Sequence, residues 1–403
     1  MTEQTLEDVC TLIVDSEHKT APTATLGTEF GYSIGTPHIR DGRILITSAI
    51  PVDQPTYAEW TVREIPRAND LILSREAPVG QVGRIEAGWK VCLRQRTVLL
   101  RPDPARVLPR YLLYVLLAPK VQERMQARAA GSTVPHLNIK EVRSLSVGII
   151  PDLPEQQAIV DILGALDDKI AVNERTAETS IALAETLYIR DSKSEHEWHE
   201  DILANTAKWM SGGTPKTSEP SYWGGDIPWI SAASLKSPWL DDSERRVTPL
   251  GAENGTRLVP AGTIIFVVRG MSLTSEFRVG LTQREVAFGQ DCKALVPHSE
   301  IDPVVLFLAL RSRSREILSL VDTAGHGTGR LGTDRIEKLR VRLPIGETRR
   351  AFTETVRPLA QLAASLQREN RALACLRSTL LPGLVSGMIP IKDALHAMED
   401  AAS

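Results

Sequence analysis

The chain has 403 residues, 42% of them hydrophobic and 24% charged, a globular composition long enough for two or three domains and incompatible with wholesale disorder. A formal net charge of −3 excludes nucleic-acid binding through bulk positive charge, so any such binding has to come from local patches. The four cysteines (Cys10, Cys92, Cys292, Cys375) are scattered, which excludes a disulfide framework and a clustered thiolate metal site. The start MTEQTLEDVC has no basic n-region or apolar h-region, and the longest apolar runs, TIIFVV and VVLFLAL, are too short to span a bilayer. A soluble, cytoplasmic protein is expected.

In chain order, short β-branched runs bounded by Gly, Pro, Asn and Asp predict strands at 43–50 (RILITSAI), 70–75 (DLILSR) and 96–102 (RTVLLRP). A helix follows over 109–129. Two prolines, Pro151 and Pro154, then introduce a long helix. Its apolar or small residues recur at Ile159, Leu163, Leu166, Ile170, Asn173, Ala177, Ser180, Ala184 and Leu187, in alternating steps of four and three. That spacing is the seam of a coiled coil. A second set of strands is predicted at 263–269 (TIIFVVR), 277–282 (FRVGLT) and 292–297 (CKALVP), with a helix over 302–321. A second long helix from about Glu347 carries Phe352, Val356, Leu359, Ala363, Leu366, Asn370, Leu373, Arg377 and Leu380 at the same spacing. Pro382-Gly383 is expected to stop it, and Pro358 is a place for a kink. Each seam holds one asparagine, the kind of polar residue that sets register at some cost in stability.

The two halves repeat. At an offset of 194, Pro66, Arg75 and Arg84 fall on Pro260, Arg269 and Arg278. The same offset places Pro109, Leu112 and Leu116 on Pro303, Leu306 and Leu310, and Leu137, Leu145 and Val147 on Leu331, Leu339 and Val341. The expected architecture is α+β: two strand-rich modules in tandem pseudo-repeat (1–150 and 193–343), each followed by a long helix (151–192; 344–403 with the C-terminal tail). A helix this long outreaches its own module, so the two are expected to pair as an antiparallel coiled-coil spacer.

The stretch LPEQQAIVDILGALDDKIAVNE (Leu153–Glu174) resembles the first central repeat of the specificity subunit of type I restriction–modification enzymes. GSTVPHLNIKEVRSLSVGIIP (131–151), GDIPWISAASLK (225–236) and LLPGLVSGMI (380–389) are also similar to that family. The second copy departs by reading IGETRR where the first has LPEQQA. The resemblance implies two target-recognition domains, each reading half of a bipartite double-stranded DNA target. It further implies a helical spacer that docks two methyltransferase (modification) subunits and a restriction-translocase subunit in a phage-defence system, with no cofactor and no catalysis by this chain.

DNA contact calls for cations on phosphates and for Arg, Lys, Asn, Gln, Ser or Thr on base edges. The stretch RIEAGWKVCLRQRTVLLR holds Arg84, Lys90, Arg94, Arg96 and Arg101 beside one acid, Glu86. It reads either as a DNA-contacting patch or as a solvated strand face. The loop TPHIRDGRI adds Arg40 and Arg43, and its counterpart offers Trp229, Ser231, Ser234 and Lys236. Arg75 and Arg269 each end a strand, where a salt bridge and a base contact fit equally; Arg278 is matched with Arg84. The glycine-rich GHGTGRLG, with His326, Thr328 and Arg330, parallels GSTVPHLN, with Thr133 and His136.

Catalytic signatures are missing: no phosphate-binding G-x-x-x-x-G-K-[ST], no Asn/Asp-Pro-Pro-aromatic stretch, no nucleophile elbow. His196 and His199 have metal-like spacing but fall in a polar junction expected to be a solvated linker, so no metal site is assigned. The reading in another class is a protein–protein scaffold of two β-rich modules on a rod.

Overall fold

The computed structural model describes residues 2–17, 19–130, 135–324 and 327–402. It divides into unit 1, Met1–Ile170 with Ala372–Ser403, and unit 2, Ala171–Arg371. The divisions fall inside the two long helices, so each unit takes part of both.

In unit 1, the strand Thr97–Pro102 lies antiparallel between Cys10–Asp15 and Leu71–Ser74, and Val82–Arg84 forms the far edge. Both sheet faces are covered, which is why LILS reads as an unbroken apolar run. Leu71, Leu73, Val98 and Leu100 point into one core with the helices, while Ile72 and Leu99 point into a second core behind the sheet. That second core is closed by a small sheet in which Gly31–Ile34 runs parallel to Val91–Leu93 and antiparallel to Ile50–Val52.

Unit 2 repeats this plan. Its main sheet runs Ala207–Ser211, Cys292–Pro297, Ile264–Val267, Val279–Thr282, with Trp239–Leu240 added parallel at the edge. Trp223–Ile230 runs parallel to Val286–Phe288 and antiparallel to Arg246–Val247 in the companion sheet.

Several expectations are corrected. The run 43–50 is not one strand. Asp41 (φ 51°) and Gly42 (φ 84°) make a tight turn between Ile39–Arg40 and Arg43–Ile44, followed by a 3₁₀ turn Ile46–Ser48 and the strand Ile50–Val52. The helix expected over 109–129 breaks at Ala118 (φ −64°, ψ 138°) because Pro119 forces the preceding residue extended. The helix expected over 302–321 is two, Pro303–Ser312 and Ser314–Ser319, followed by the strand Val321–Ala324. The junction expected to be a solvated linker contains the strand Trp198–Ile202, paired with Arg340–Pro344. Trp198 is buried there against Tyr188 and Phe352, at 5.5 and 4.9 Å between ring centroids, and His199 stays exposed.

The offset of 194 holds for the helices starting at Pro109 and Pro303 and for the short helices Ile139–Arg143 and Thr333–Ile336. It fails in the hairpins. Ser74 N–H donates to the Gln81 carbonyl and Val267 N–H to that of Arg278, so Arg278 stands in the place of Gln81, not of Arg84. The slip comes from a 3₁₀ turn, Met271–Thr274, in unit 2. Likewise Arg75 and Val268 donate to the carbonyls of Arg96 and Asp291 and accept from the N–H groups of Leu137 and Leu331. Arg75 is thus the counterpart of Val268, and Glu76 that of Arg269.

The long helices are Leu153–Asp191 and Gly346–Ser386, 39 and 41 residues, each about 60 Å long. The second runs on through Pro358 and past Pro382-Gly383, ending before Gly387 (φ 72°). In unit 1, Ile159, Leu163 and Leu166 share a core with Leu112 and Leu116 of the module and with Leu380 and Leu384 of the second helix. In unit 2, Ala184, Phe352, Val356 and Ala363 lie in the module's core, with Ala177, Leu187 and Leu359 packed partly buried against it. Asn173, Ile170 and Ser180 are buried, and Leu366, Asn370, Leu373 and Arg377 are half-buried. Within unit 2, Asn173 meets Asn370 and Tyr188 meets Phe352, so the two helical segments run antiparallel.

Candidate DNA interface

The two units share one turn. In unit 1 it follows Ile34: Gly35 N–H donates to His38 Nδ1 at 3.0 Å, Ile39 is buried and Arg40 is exposed. In unit 2 it follows Ile230: Ser231 N–H donates to Ser234 Oγ at 2.8 Å, Leu235 is buried and Lys236 is exposed. The polar residue caps the turn and the apolar one anchors it, leaving a cation at its end. Ser231 and Ser234 also bond in the reverse direction, Ser234 N–H to Ser231 Oγ at 3.1 Å, so both hydroxyls are used in shaping the turn. His38 is buried, and desolvation together with the nearby Arg94 guanidinium holds its pKa below the ordinary histidine value.

Beside the unit 1 turn lie Arg94, Arg96 and His136. A Cβ on Gly35 would meet Arg94 Cδ at 2.9 Å, so a larger residue there would push the Arg94 side chain aside. Thr36 Oγ1 donates to the Glu76 carbonyl at 3.1 Å, Arg96 is ion-paired with Glu76 at 3.3 Å, and the Glu76 backbone forms a β-bridge with His136. Beside the unit 2 turn, Arg269 pairs with Arg330 and Gly270 with Gly329, in a small sheet whose hairpin also carries Thr328. Arg269, Lys293 and Arg330 line a cleft of about 610 Å³ with Gln290, Asp291 and Asp334. Thr133 and His326 lie outside the described residues.

The other candidate cations do not join these rims. Arg75 is ion-paired with Asp15 at 3.1 Å, 13% and 19% exposed, and donates to the Leu137 carbonyl. Its place is structural. Arg84 donates to Asn69 and pairs with Glu86, while Arg43 donates to the Asp167 carbonyl of the first long helix. Lys90 stacks its ammonium on Phe30, 3.8 Å from the ring centre. Arg101 forks onto Asp70 and also pairs with Glu64, each at 2.8 Å. Within the basic stretch, Arg96 and Arg101 are thus neutralised by acids distant in sequence, and Arg84 by the nearby Glu86. In unit 2, Arg278 is paired with Glu276, and Trp229 is 5% exposed with its indole N–H on the Gly213 carbonyl.

Two features escaped sequence reasoning. Arg245 is exposed and stacks over Trp223 at 3.8 Å, and Lys208 and Arg257 line a second cleft of about 720 Å³ with Gly212 and Gly213. Nothing in the local sequence marks these cations; the pairing of Trp223–Ile230 with Arg246–Val247 puts Arg245 beside the tryptophans. Among the described residues no group of three or more His, Cys, Asp or Glu is placed to hold a metal ion, and no helix is long and apolar enough to cross a membrane.

A two-module α+β chain with a cation-bearing turn on each module is the frame of a DNA-specificity protein, and comparison supplies the family. The type I restriction modification DNA specificity domain matches twice, over residues 2–181 and 197–371. The chain belongs to that family. It is similar to the EcoR124I/EcoR124II type I specificity subunit of Escherichia coli, 29% identical over 204 residues, covering 48% of this chain and 50% of the relative. It is also similar to the HindI specificity subunit of Haemophilus influenzae, 22% identical over 372 residues, covering 72% and 80%. The match thus spans about half of the E. coli subunit and most of the H. influenzae one. The crystal structure of the type I restriction–modification S subunit from M. genitalium shares the fold, with a TM-score of 0.56, 18% identity and 95% of each chain covered.

Proposed function

We propose that this chain is the non-catalytic specificity subunit of a type I restriction–modification complex and reads a bipartite target, one half-site per module. The long helices act as the spacer between half-sites and as the docking element for methyltransferase and restriction subunits. The observation that carries the reading is the shared frame with divergent rims. Both modules have the same order of central strands and the same capped turn, but Arg40, Arg94, Arg96 and His136 lie at one rim where Lys236, Gly289, Asp291 and Arg330 lie at the other. Two copies of one scaffold with different side chains are what reading two different half-sites requires, and a rigid element between them sets the unread gap.

The test is an exchange of residues 1–150 for another module of the family, followed by mapping of methylated sites in cells carrying the partner subunits. One half-site is expected to change and the other to persist. A change in both halves together sinks the two-reader reading. Methylation, cleavage or ATP hydrolysis by the purified chain alone removes the non-catalytic assignment.

A further inference from the structure

Arg269 and Arg330 are direct cross-strand partners in an antiparallel pair, and both are exposed. Like charges directly opposite on neighbouring strands oppose folding. Such pairs are ordinarily relieved by an interleaved acid. Here, among the described residues, neither guanidinium has an ion-pair partner, although Asp291 and Asp334 line the same cleft. Asp322, which faces Arg330 across the other side of the hairpin, is taken by Arg335 at 2.8 Å. A third cation, Lys293, lines the cleft and donates to Ser211 Oγ at 2.6 Å.

Unit 1 shows the relieved version of the same place. Glu76 stands where Arg269 stands, forms a backbone β-bridge with His136 in the place of Arg330, and its carboxylate pairs with Arg96. The scaffold therefore accommodates a self-neutralised arrangement at this position. Unit 2 instead leaves two cations side by side at the rim of an open cleft, next to the turn that ends in Lys236.

We propose that Arg269 and Arg330 form a clamp for DNA backbone phosphate, supplied by unit 2 alone, with the equivalent Glu76–Arg96–His136 cluster of unit 1 making no phosphate contact. The inference rests on the DNA-specificity reading above. A bound phosphate supplies the negative charge that the protein lacks at this point, and two guanidiniums from adjacent strands present a fork suited to its oxygens. Phosphate contacts fix orientation on the duplex without reading sequence, so the clamp sets how unit 2 lies on DNA rather than which bases it selects.

The test uses the full chain assembled with its methyltransferase partners. Wild type, Arg269→Gln, Arg330→Gln, the double variant and Glu76→Gln are titrated with a duplex carrying the methylated motif over a range of KCl concentrations. Each lost phosphate contact is expected to flatten the slope of log K against log[salt] by about 0.9, with the methylated motif unchanged and Glu76→Gln behaving as wild type. Thermal midpoints without DNA are expected to hold or rise in the arginine variants, because repulsion is removed. An unchanged slope in the double variant overturns the clamp. So does a relaxed motif at one half-site, which means base reading, or a fall in midpoint large enough to account for the lost binding. A wild-type assembly that binds no duplex overturns the specificity reading and the clamp with it, whereas wild-type binding with an unchanged double variant overturns the clamp alone.

Discussion

The Asn173 side-chain amide donates to the Asn370 carboxamide oxygen at 2.9 Å, joining the two long helices within unit 2, and Asn173 is only 2% exposed. Both asparagines occupy seam positions among mostly apolar or small residues. A buried amide pair of this kind trades stability for a single register. Asn173→Leu is expected to cost about 1–3 kcal/mol by removing one partner of a buried hydrogen bond. Replacing both by leucine is expected to recover that loss or exceed the wild type. Chemical unfolding of the two single variants and the double variant checks it; a double variant less stable than both singles contradicts the register role.

The helices make a second prediction through their length. Four residues inserted after Asn173 add roughly 6 Å at about 1.5 Å per residue and nearly keep the seam in phase. At about 3.4 Å per base pair, the unread gap is expected to lengthen by one or two pairs with both half-sites unchanged. Two inserted residues turn the seam by about 200° and are expected to impair folding or assembly. Methylated-site mapping of the four-residue variant decides; an unchanged gap leaves the helices as ordinary parts of their modules.

Arg101 forks onto Asp70, whose side chain is 3% exposed, and Asp70 also accepts the Arg67 backbone N–H at 2.9 Å. Removing one member of such a buried pair strands the other. Asp70→Ala is therefore expected to destabilise unit 1 by about 3 kcal/mol, read as a lowered denaturation midpoint. A loss under about 0.5 kcal/mol, the range of ordinary surface substitutions, shows that Arg101 finds solvent and that the network is dispensable.

His38 supplies a pH dependence. Burial and Arg94 hold its folded pKa below the ordinary value, and its Nδ1 accepts the Gly35 N–H, so the neutral ring is the one that fits. The unfolded chain then binds the proton more readily than the folded one, and stability falls as pH drops. The contribution is fully present above the ordinary histidine pKa of about 6.5 and is lost as pH falls from there through the lowered folded value. Unfolding midpoints at pH 7.5 and 5.5, compared with His38→Asn, are expected to show a smaller acid loss in the variant. Equal losses in both remove His38 from the account.

Much of the frame was legible because it depends on patterns local to the chain. The four–three spacing from Ile159 to Leu187 and from Phe352 to Leu380 marked two helices, and the runs at 71–74, 97–102, 264–267 and 292–297 marked the central strands. The errors sit where local chemistry was passed over. The 3₁₀ turn Ile46–Ser48 interrupts the strand expected over 43–50, whose start is already the second arm of the Asp41-Gly42 turn, and Pro119 breaks the helix expected over 109–129. The repeat offset held for elements whose spacing is set by helix packing and slipped by one to three residues in hairpins, where an inserted turn lengthens one copy without disturbing the sheet.

The sequence by itself determined the elements, the tandem repeat and the family resemblance, since periodicity, turn residues and a long matching helix are all read along the chain. The candidate interface was decided only by tertiary structure. A run of arginines looks basic in one dimension, but Arg101 meets Asp70, Arg75 meets Asp15 and Arg96 meets Glu76 through strand pairing across tens of residues. Arg269 and Arg330, separate candidates far apart in the chain, become neighbours across a strand pair with no acid paired to either among the described residues. Charge acts through distance in space, and the sheet registers that set those distances are chosen by packing on both faces of the sheet rather than by the charged residues themselves.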